Sequence, residues 1–402
     1  MAISSQTPLS PQLRRNFLHL YLDILWVGVT SGSTIAFLGI YAARLGASSM
    51  QMAFLGAGPA LVSLLMSLPV GRYLENRSLV RAAFLSAFLA RLGYVALIFL
   101  PWLFVKSGQI WGSIGIILVM SIPATVLNIS FNSLFAGVVP PEYRATVVGR
   151  RNAIVAAVTT VVAFGCGQIL DRLSFPTNYQ IVFGIGAAGA LISCYHIIQI
   201  RLPGEAGDTS SQANRSALLR LDVLRGPFGV FMVAYLLFYI FMHVPAPLFA
   251  LFNVNELHLT DGDIGIGNAL MYIFMTAVSL VLHRISSHLG HRKLLVASSL
   301  FFGGYPLLLY FAHGRVLFWV ALIYAGAVWA LIGGGLTNRL MERVPENDRP
   351  AHMAIFNLVA NLGILIGMSL GPIGGDWLGL RNMMLVGAIL RFVGGFILWK
   401  WG

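Results

Sequence analysis

Charge is what this sequence has least of. Of its 402 residues only 10% are Asp, Glu, Lys or Arg, against about 25% in soluble globular proteins. A water-facing surface for a chain of this length cannot be assembled from that supply. Disordered, collagen-like and soluble enzyme classes are excluded. Cysteine is nearly absent too: Cys166 and Cys194 each lie inside an apolar run, which makes them packing residues rather than a disulfide or metal site. There are three lysines and no G-x-x-x-x-G-K-[ST], so P-loop ATP hydrolysis is out. H-E-x-x-H is missing as well, and the acids are scattered. A membrane-embedded enzyme acting on lipid-linked substrates is therefore the weaker alternative, and neither catalysis nor a cofactor is expected.

Apolar residues are abundant, at 57%. They fall into twelve runs, near 17–40, 50–70, 83–104, 110–139, 150–170, 179–200, 228–252, 264–282, 294–312, 316–338, 352–375 and 382–400. Each is close to the roughly 20 residues that cross a bilayer as helix. Strand alternation is missing, and in lipid only helices or closed barrels satisfy the backbone. The expected fold is an all-α integral membrane protein. The long polar stretch from Arg201 to Gly226 divides it into a six-helix bundle over 1–201, a central loop over 202–227 and a second bundle over 228–402.

The net charge of +12 is a topology signal. Nineteen of the 26 Lys and Arg residues fall in the segments on the side of the N-terminus. The other side has only Arg44, Lys106, Arg172, Arg315 and Arg381, while Arg91 and Arg391 sit within spans. The positive-inside rule then makes both termini and the central loop cytoplasmic, in a cell (inner or plasma) membrane. Anionic lipid headgroups are a secondary partner, nucleic acid is not expected, and a monomer is. Arg14-Arg15-Asn16-Phe17-Leu18 looks like a twin-arginine signal, but the run after it is long and contains Asp23. No cleavage is expected.

The two halves repeat. Pro140 to Arg144 matches Pro345 to Arg349 at an offset of 205, which also pairs Asn152 with Asn357 and Asp171 with Asp376. An offset of 212 pairs Ala47-Ser48-Ser49 with Leu259-Thr260-Asp261 and Arg72/Arg81 with Arg284/Lys293. Parallel repeats of six spans are a mark of secondary transporters, with the solute site at the midplane between the halves.

On these features the chain resembles the major facilitator superfamily. That family carries G-x-x-x-D-[RK]-x-G-[RK]-[RK] after its second span. Gly71-Arg72-Tyr73-Leu74-Glu75-Asn76-Arg77 stands there in this chain, with Glu for Asp and no second Gly. The matching stretch His283 to Lys293 keeps Gly290 and the basic tail but loses the acid. The resemblance implies two bundles related by a pseudo-two-fold axis that work by alternating access. It also implies a cytoplasmic latch, to which Gly71, Arg72, Glu75, Arg77, Arg144, Arg284, Gly290 and Arg349 are assigned. A plain basic loop is the competing reading.

Polar residues inside the spans are the candidate solute site. Ser121, Thr125, Asn128 and Asn132 form one stripe at helical spacing. Asn268 with Tyr272, and Asn357 with Asn361, form two more. The resemblance makes spans one, four, seven and ten face the cavity; helix–helix hydrogen bonding is the alternative. Asp23 lies about 12 Å along the helix from Arg15. An intramembrane acid is either a proton site or half of an ion pair, and Arg91, about 15 Å past Arg81, is the expected partner. Arg391 has no acid to name. His243 stands in the break His243-Val244-Pro245-Ala246-Pro247 of span seven, where prolines free carbonyls. His283, His288 and His291 are flanked by Arg and Lys, which argues against a metal. Gly363, Gly367 and Gly371 suit close helix packing. The expected activity is movement of a small hydrophobic or amphipathic solute with possible proton coupling and efflux; a non-transporting sensor or scaffold is the other alternative.

Overall fold

The computed structural model describes residues 10–74, 78–202, 220–344 and 348–402. Among the described residues, twelve helices are long and apolar enough to cross a membrane. They are α1 (Pro11–Arg44), α2 (Ser49–Leu74), α3 (Leu79–Leu103), α4 (Lys106–Val138), α5 (Pro141–Arg172), α6 (Thr177–Ile198), α7 (Pro227–Glu256), α8 (Asp261–Leu289), α9 (His291–Phe311), α10 (Arg315–Arg343), α11 (Arg349–Leu378) and α12 (Leu380–Trp401).

Local chemistry sets their ends. Ser10 Oγ accepts from Leu13 N at 3.2 Å, with Pro11 opening α1, and Thr260 and Asp263 form a reciprocal capping box on α8. These supply orphan N–H groups with acceptors. Gly290 (φ 76°) and Gly379 (φ 81°) make the sharp α8–α9 and α11–α12 turns in the left-handed region. Pro141 opens α5 nine residues earlier than the apolar run suggests. Arg150 and Arg151, counted from the sequence with the basic residues on the side of the N-terminus, therefore lie well inside the helix.

Neighbour relations define the architecture. In the first half the helices touch in the order α2–α4–α3–α6–α1–α5, and in the second α8–α10–α9–α12–α7–α11. Contacts α5–α8 and α11–α2 close the ring. Exchanging each helix with the one six places on leaves this order unchanged, which is pseudo-two-fold symmetry expressed in contacts. Even the irregularities follow it. A π-helical turn at Ser31–Ile35 interrupts α1, and the proline break of α7 begins at His243, 212 residues on.

The apolar core is divided along the membrane normal. One large cluster, with Tyr41, Tyr179 and Phe183 from the first half and Leu248, Phe252 and Phe318 from the second, joins both halves at the end away from the chain termini. At the end carrying the termini each half has its own cluster, around Leu20, Ala87 and Leu134 in one and Phe231, Tyr235 and Leu336 in the other. The shared core thus joins the two halves at the distal end, while at the terminal end each half packs around its own core.

Candidate functional site: the centre of the ring and its distal seal

The α4 stripe changes character along its length. Ser121 and Thr125 are buried and donate to carbonyls one turn back, Ile117 (2.6 Å) and Ser121 (2.9 Å). Toward the terminal end Asn128 and Asn132 are exposed, and Asn132 Nδ2 donates to Asn128 Oδ1 at 3.1 Å. On α8, Asn268 and Tyr272 are half-buried. On α11, Asn357 is exposed and the Asn361 amide donates to its carbonyl at 2.9 Å. His243 Nδ1 lies 2.8 Å from the Tyr239 carbonyl. A carbonyl only accepts, so Nδ1 carries the proton and Nε2 is left as an acceptor. The ring stacks on Tyr239, centroids 6.0 Å apart. These residues stand on α4, α7, α8 and α11, and no hydrogen bond among the described residues ties one helix's set to another's.

The deep acid is tied down instead. Asp23 is 2% exposed. Arg151 Nη2 reaches its Oδ2 at 3.2 Å, the Ser193 hydroxyl donates to Oδ1, and Arg91 Nη2 stands 3.9 Å from Oδ1. The expected partner Arg91 is present, but at the longer distance, with its Nη1 on Cys194 Sγ at 3.0 Å. Arg151 also donates to the Leu20 carbonyl and lies over the Phe131 ring at 5.1 Å. One cluster thus links α1, α3, α5 and α6. Arg151 was missed because it was counted with the basic residues at the span's edge and not placed along the helix. Pro141-Glu142 is a helix-start signal, and counting ten residues from it puts Arg151 about 15 Å along the helix. The second half does not repeat the charge: the offsets map Asp23 to Tyr235 and Arg151 to Phe356, which pack edge to face at 5.9 Å.

Arg391 has a partner that is not an acid. Ala246 N bonds to the His243 carbonyl at 3.1 Å, so the Met242 carbonyl loses its usual helical donor. Arg391 supplies Nη2 at 2.7 Å and Nε at 3.2 Å, with its guanidinium 4.3 Å from the Phe302 ring. Carbonyl and aromatic face take the place of a counter-ion. Gly363, Gly367 and Gly371 lie against the α7 backbone around Tyr239, Ile240 and Val244, so the close-packing reading describes them.

Of the latch residues, Glu75 and Arg77 lie outside the described residues, as do the side chains of Arg72 and Arg349; Gly71 sits in the last turns of α2. Arg144 donates to the Val139 and Ala136 carbonyls at 3.0 and 2.8 Å and so caps the end of α4. Arg284 is exposed near the end of α8, and Gly290 makes its turn.

The distal seal carries charge. Asp261, at the start of α8, accepts from Arg44 Nε at 3.2 Å and Nη2 at 3.1 Å on Oδ1, and from the Tyr179 hydroxyl at 2.9 Å on Oδ2. Asp171 of α5 accepts from Thr260 at 2.9 Å. Each bond crosses from one half to the other. Nothing in the local sequence pattern marks these residues, which sit at span ends more than 80 positions apart; only the repeat touched Thr260, Asp261 and Asp171.

Two six-helix halves of matching contact order, joined by a shared core at one end, are the framework expected of a transporter built from parallel repeats. The comparisons agree. The family model for the Major Facilitator Superfamily matches residues 231–402. A Deinococcus radiodurans protein named "Putative sugar efflux transporter" is 25% identical over 95% of this chain and 97% of its own length. A variant of the nucleoside transporter NupG superposes with a TM-score of 0.75 at 15% identity, covering 96% of this chain and 99% of that one. A D-xylose-proton symporter gives 0.74 at 15% identity, over 97% and 98%. The second half of the chain thus matches the Major Facilitator Superfamily model, and the whole chain shares the twelve-helix fold of these membrane transporters.

Proposed function

We propose that this transporter moves a small, uncharged, hydroxyl-bearing solute of the sugar class through the centre of the ring, outward from the cytoplasm. Such a solute has a polar rim and an apolar C–H face, so it falls within the amphipathic class expected from the sequence. The observation that carries the reading is the side-chain chemistry of the helices lining the ring. Asn128, Asn132, Asn268, Tyr272, Asn357 and Asn361 offer amides and a phenol, which pair with hydroxyls in either direction, while the deep carboxylate is already engaged by Arg151, Arg91 and Ser193. The named solutes of the sugar efflux relative and of the xylose and nucleoside transporters are all polyhydroxylated, and the relative's name supports export.

The two bundles, 1–201 and 228–402, rock as units about that centre, with both termini cytoplasmic by the distribution of Lys and Arg. The structure is then the form open to the cytoplasm. Asp23 serves as a tie between α1, α3, α5 and α6 rather than as the proton carrier, and His243 Nε2 is a further acceptor beside the break of α7. Ligand-dependent thermal stabilisation of the purified protein tests the solute class. Neutral mono- and disaccharides should raise the melting temperature of the wild type, and Asn268→Ala and Tyr272→Phe should weaken that effect. Stabilisation by lipophilic cations or organic anions, with none by sugars, would overturn the assignment.

A further inference from the structure

We propose that Arg44, Asp261 and Tyr179, with Asp171 and Thr260 beside them, form a one-sided lock that holds the distal end shut, and that the ring opens there by parting α1 and α5 from α8 while pivoting on α2 and α11. This rests on the alternating-access reading above and names the residues that set its balance.

The lock is made of bonds that only a closed distal end allows. Asp261 belongs to the second half, is 7% exposed, and has both carboxylate oxygens on first-half groups, the Arg44 guanidinium and the Tyr179 hydroxyl. Arg44 adds a bond to the Leu259 carbonyl. Asp171 crosses in the opposite sense: Thr260 donates its hydroxyl proton to it while the same oxygen accepts from Asp263 N at 3.1 Å as the cap of α8. The acid thus lies at the positive end of a 29-residue helix. A Cβ on Gly262 would collide with the Asp171 carboxylate. Deeper along the same seam Gly167 and Gly265 let α5 and α8 touch, since a Cβ on Gly167 would stand 2.9 Å from the Gly265 Cα.

Among the described residues the symmetry-related seam has none of this. The repeat maps Arg44 to Glu256, Asp261 to Ser49, Thr260 to Ser48 and Asp171 to Asp376. Glu256 lies 3.8 Å from Arg381 of its own half, Ser48 Oγ accepts from Gln51 N of its own segment, and Asp376 is exposed. Across α2–α11 the close approach is Gly56 against the Met368 side chain, an apolar contact that slides without breaking a charged bond. Charge-assisted bonds are lost as a set when their partners separate, and apolar contacts are traded one for another. The α5–α8 side is therefore where opening is held back.

Pulsed electron–electron spin resonance on full-length protein in nanodiscs tests this without needing to know the solute. Labels at Lys106→Cys and His313→Cys report the distance between the distal ends of the two halves; both positions are exposed, and the native Cys166 and Cys194 are buried. Wild type should give one short distance. Arg44→Gln should raise the ratio of long to short distances about tenfold or more, and Tyr179→Phe by less. The exchange Arg44→Asp with Asp261→Arg should restore the short distance, which a merely misfolded variant would not do. Arg381→Gln removes a cation from the same membrane face but within one half, and it should leave the distribution unchanged. The lock is overturned if sugars shift the wild-type distribution while Arg44→Gln does not, or if Arg381→Gln opens the ring equally. If neither solute nor variant ever produces a second distance, alternating access itself fails.

Discussion

Replacing Asp23 by Asn keeps the side chain's shape and removes the one negative charge between two buried guanidiniums. The side chains of Arg151 and Arg91 are 11% and 9% exposed, so neither reaches water by a small rotation. Removing one member of a buried ion pair costs about 3–5 kcal/mol, because the partner stays buried and uncompensated. Here the lower end applies. Arg151 keeps the Leu20 carbonyl and the Phe131 ring, and Arg91 keeps Cys194 Sγ. The expected loss is about 3 kcal/mol. Adding Arg151→Gln removes the stranded charge, and the double variant should recover about 2 kcal/mol of that loss, within the range for contacting pairs. The same cycle with Arg91, at 3.9 Å, should give less than about 1 kcal/mol. Denaturant unfolding in detergent measures all three. Transport adds a second readout: a tie predicts that the double variant recovers flux along with stability. An Asp23→Asn protein as stable as wild type, or a double variant that is stable but inactive under a proton gradient, would refute the assignment and return Asp23 to proton coupling.

Gly371→Ala should lower stability by about 1–3 kcal/mol, since its Cβ would collide with the Val244 carbonyl of α7 and force α7 and α11 apart; thermal unfolding checks this. Arg391→Lys should cost about 1–3 kcal/mol in the same assay, because a point ammonium cannot give the Met242 carbonyl two donors while lying flat on Phe302. Just before α7, the Arg220 side chain donates to Asp222 and holds its carboxyl below the usual range, while also reaching Asp348 at 2.9 Å. A depressed carboxylate stabilises the folded form above its unfolded value and stops doing so as pH falls through the folded one. Hydrogen exchange around Leu221–Leu224 should thus be unchanged, after correction for intrinsic rates, from pH 8 to 5 and should loosen only below about pH 4.

The parts of the fold that were legible in the sequence depend on the bilayer as solvent. Spans of about 20 apolar residues and the two repeat offsets need no tertiary information. Gly363, Gly367 and Gly371 were legible because their four-residue spacing is itself a contact pattern. Arg391 was legible only as a cation without an acid; that its partner is a carbonyl freed in α7 depends on the three-residue bond from Ala246 to His243. Arg151 was hidden by hydropathy, since a polar first third of a helix looks like a loop. The distal lock was hidden by distance in the chain. Arg44 and Asp261 are 217 residues apart, and each alone is an ordinary charged residue at a span end.

Counterflow of radiolabelled sugars in proteoliposomes tests the central claim most directly. Wild-type protein preloaded with an unlabelled neutral sugar should accumulate the labelled one transiently and saturably, and Asn268→Ala and Tyr272→Phe should reduce that uptake at unchanged reconstitution efficiency. Sugar binding without counterflow, or counterflow indifferent to both substitutions, would contradict transport of a sugar-class solute through the centre of the ring.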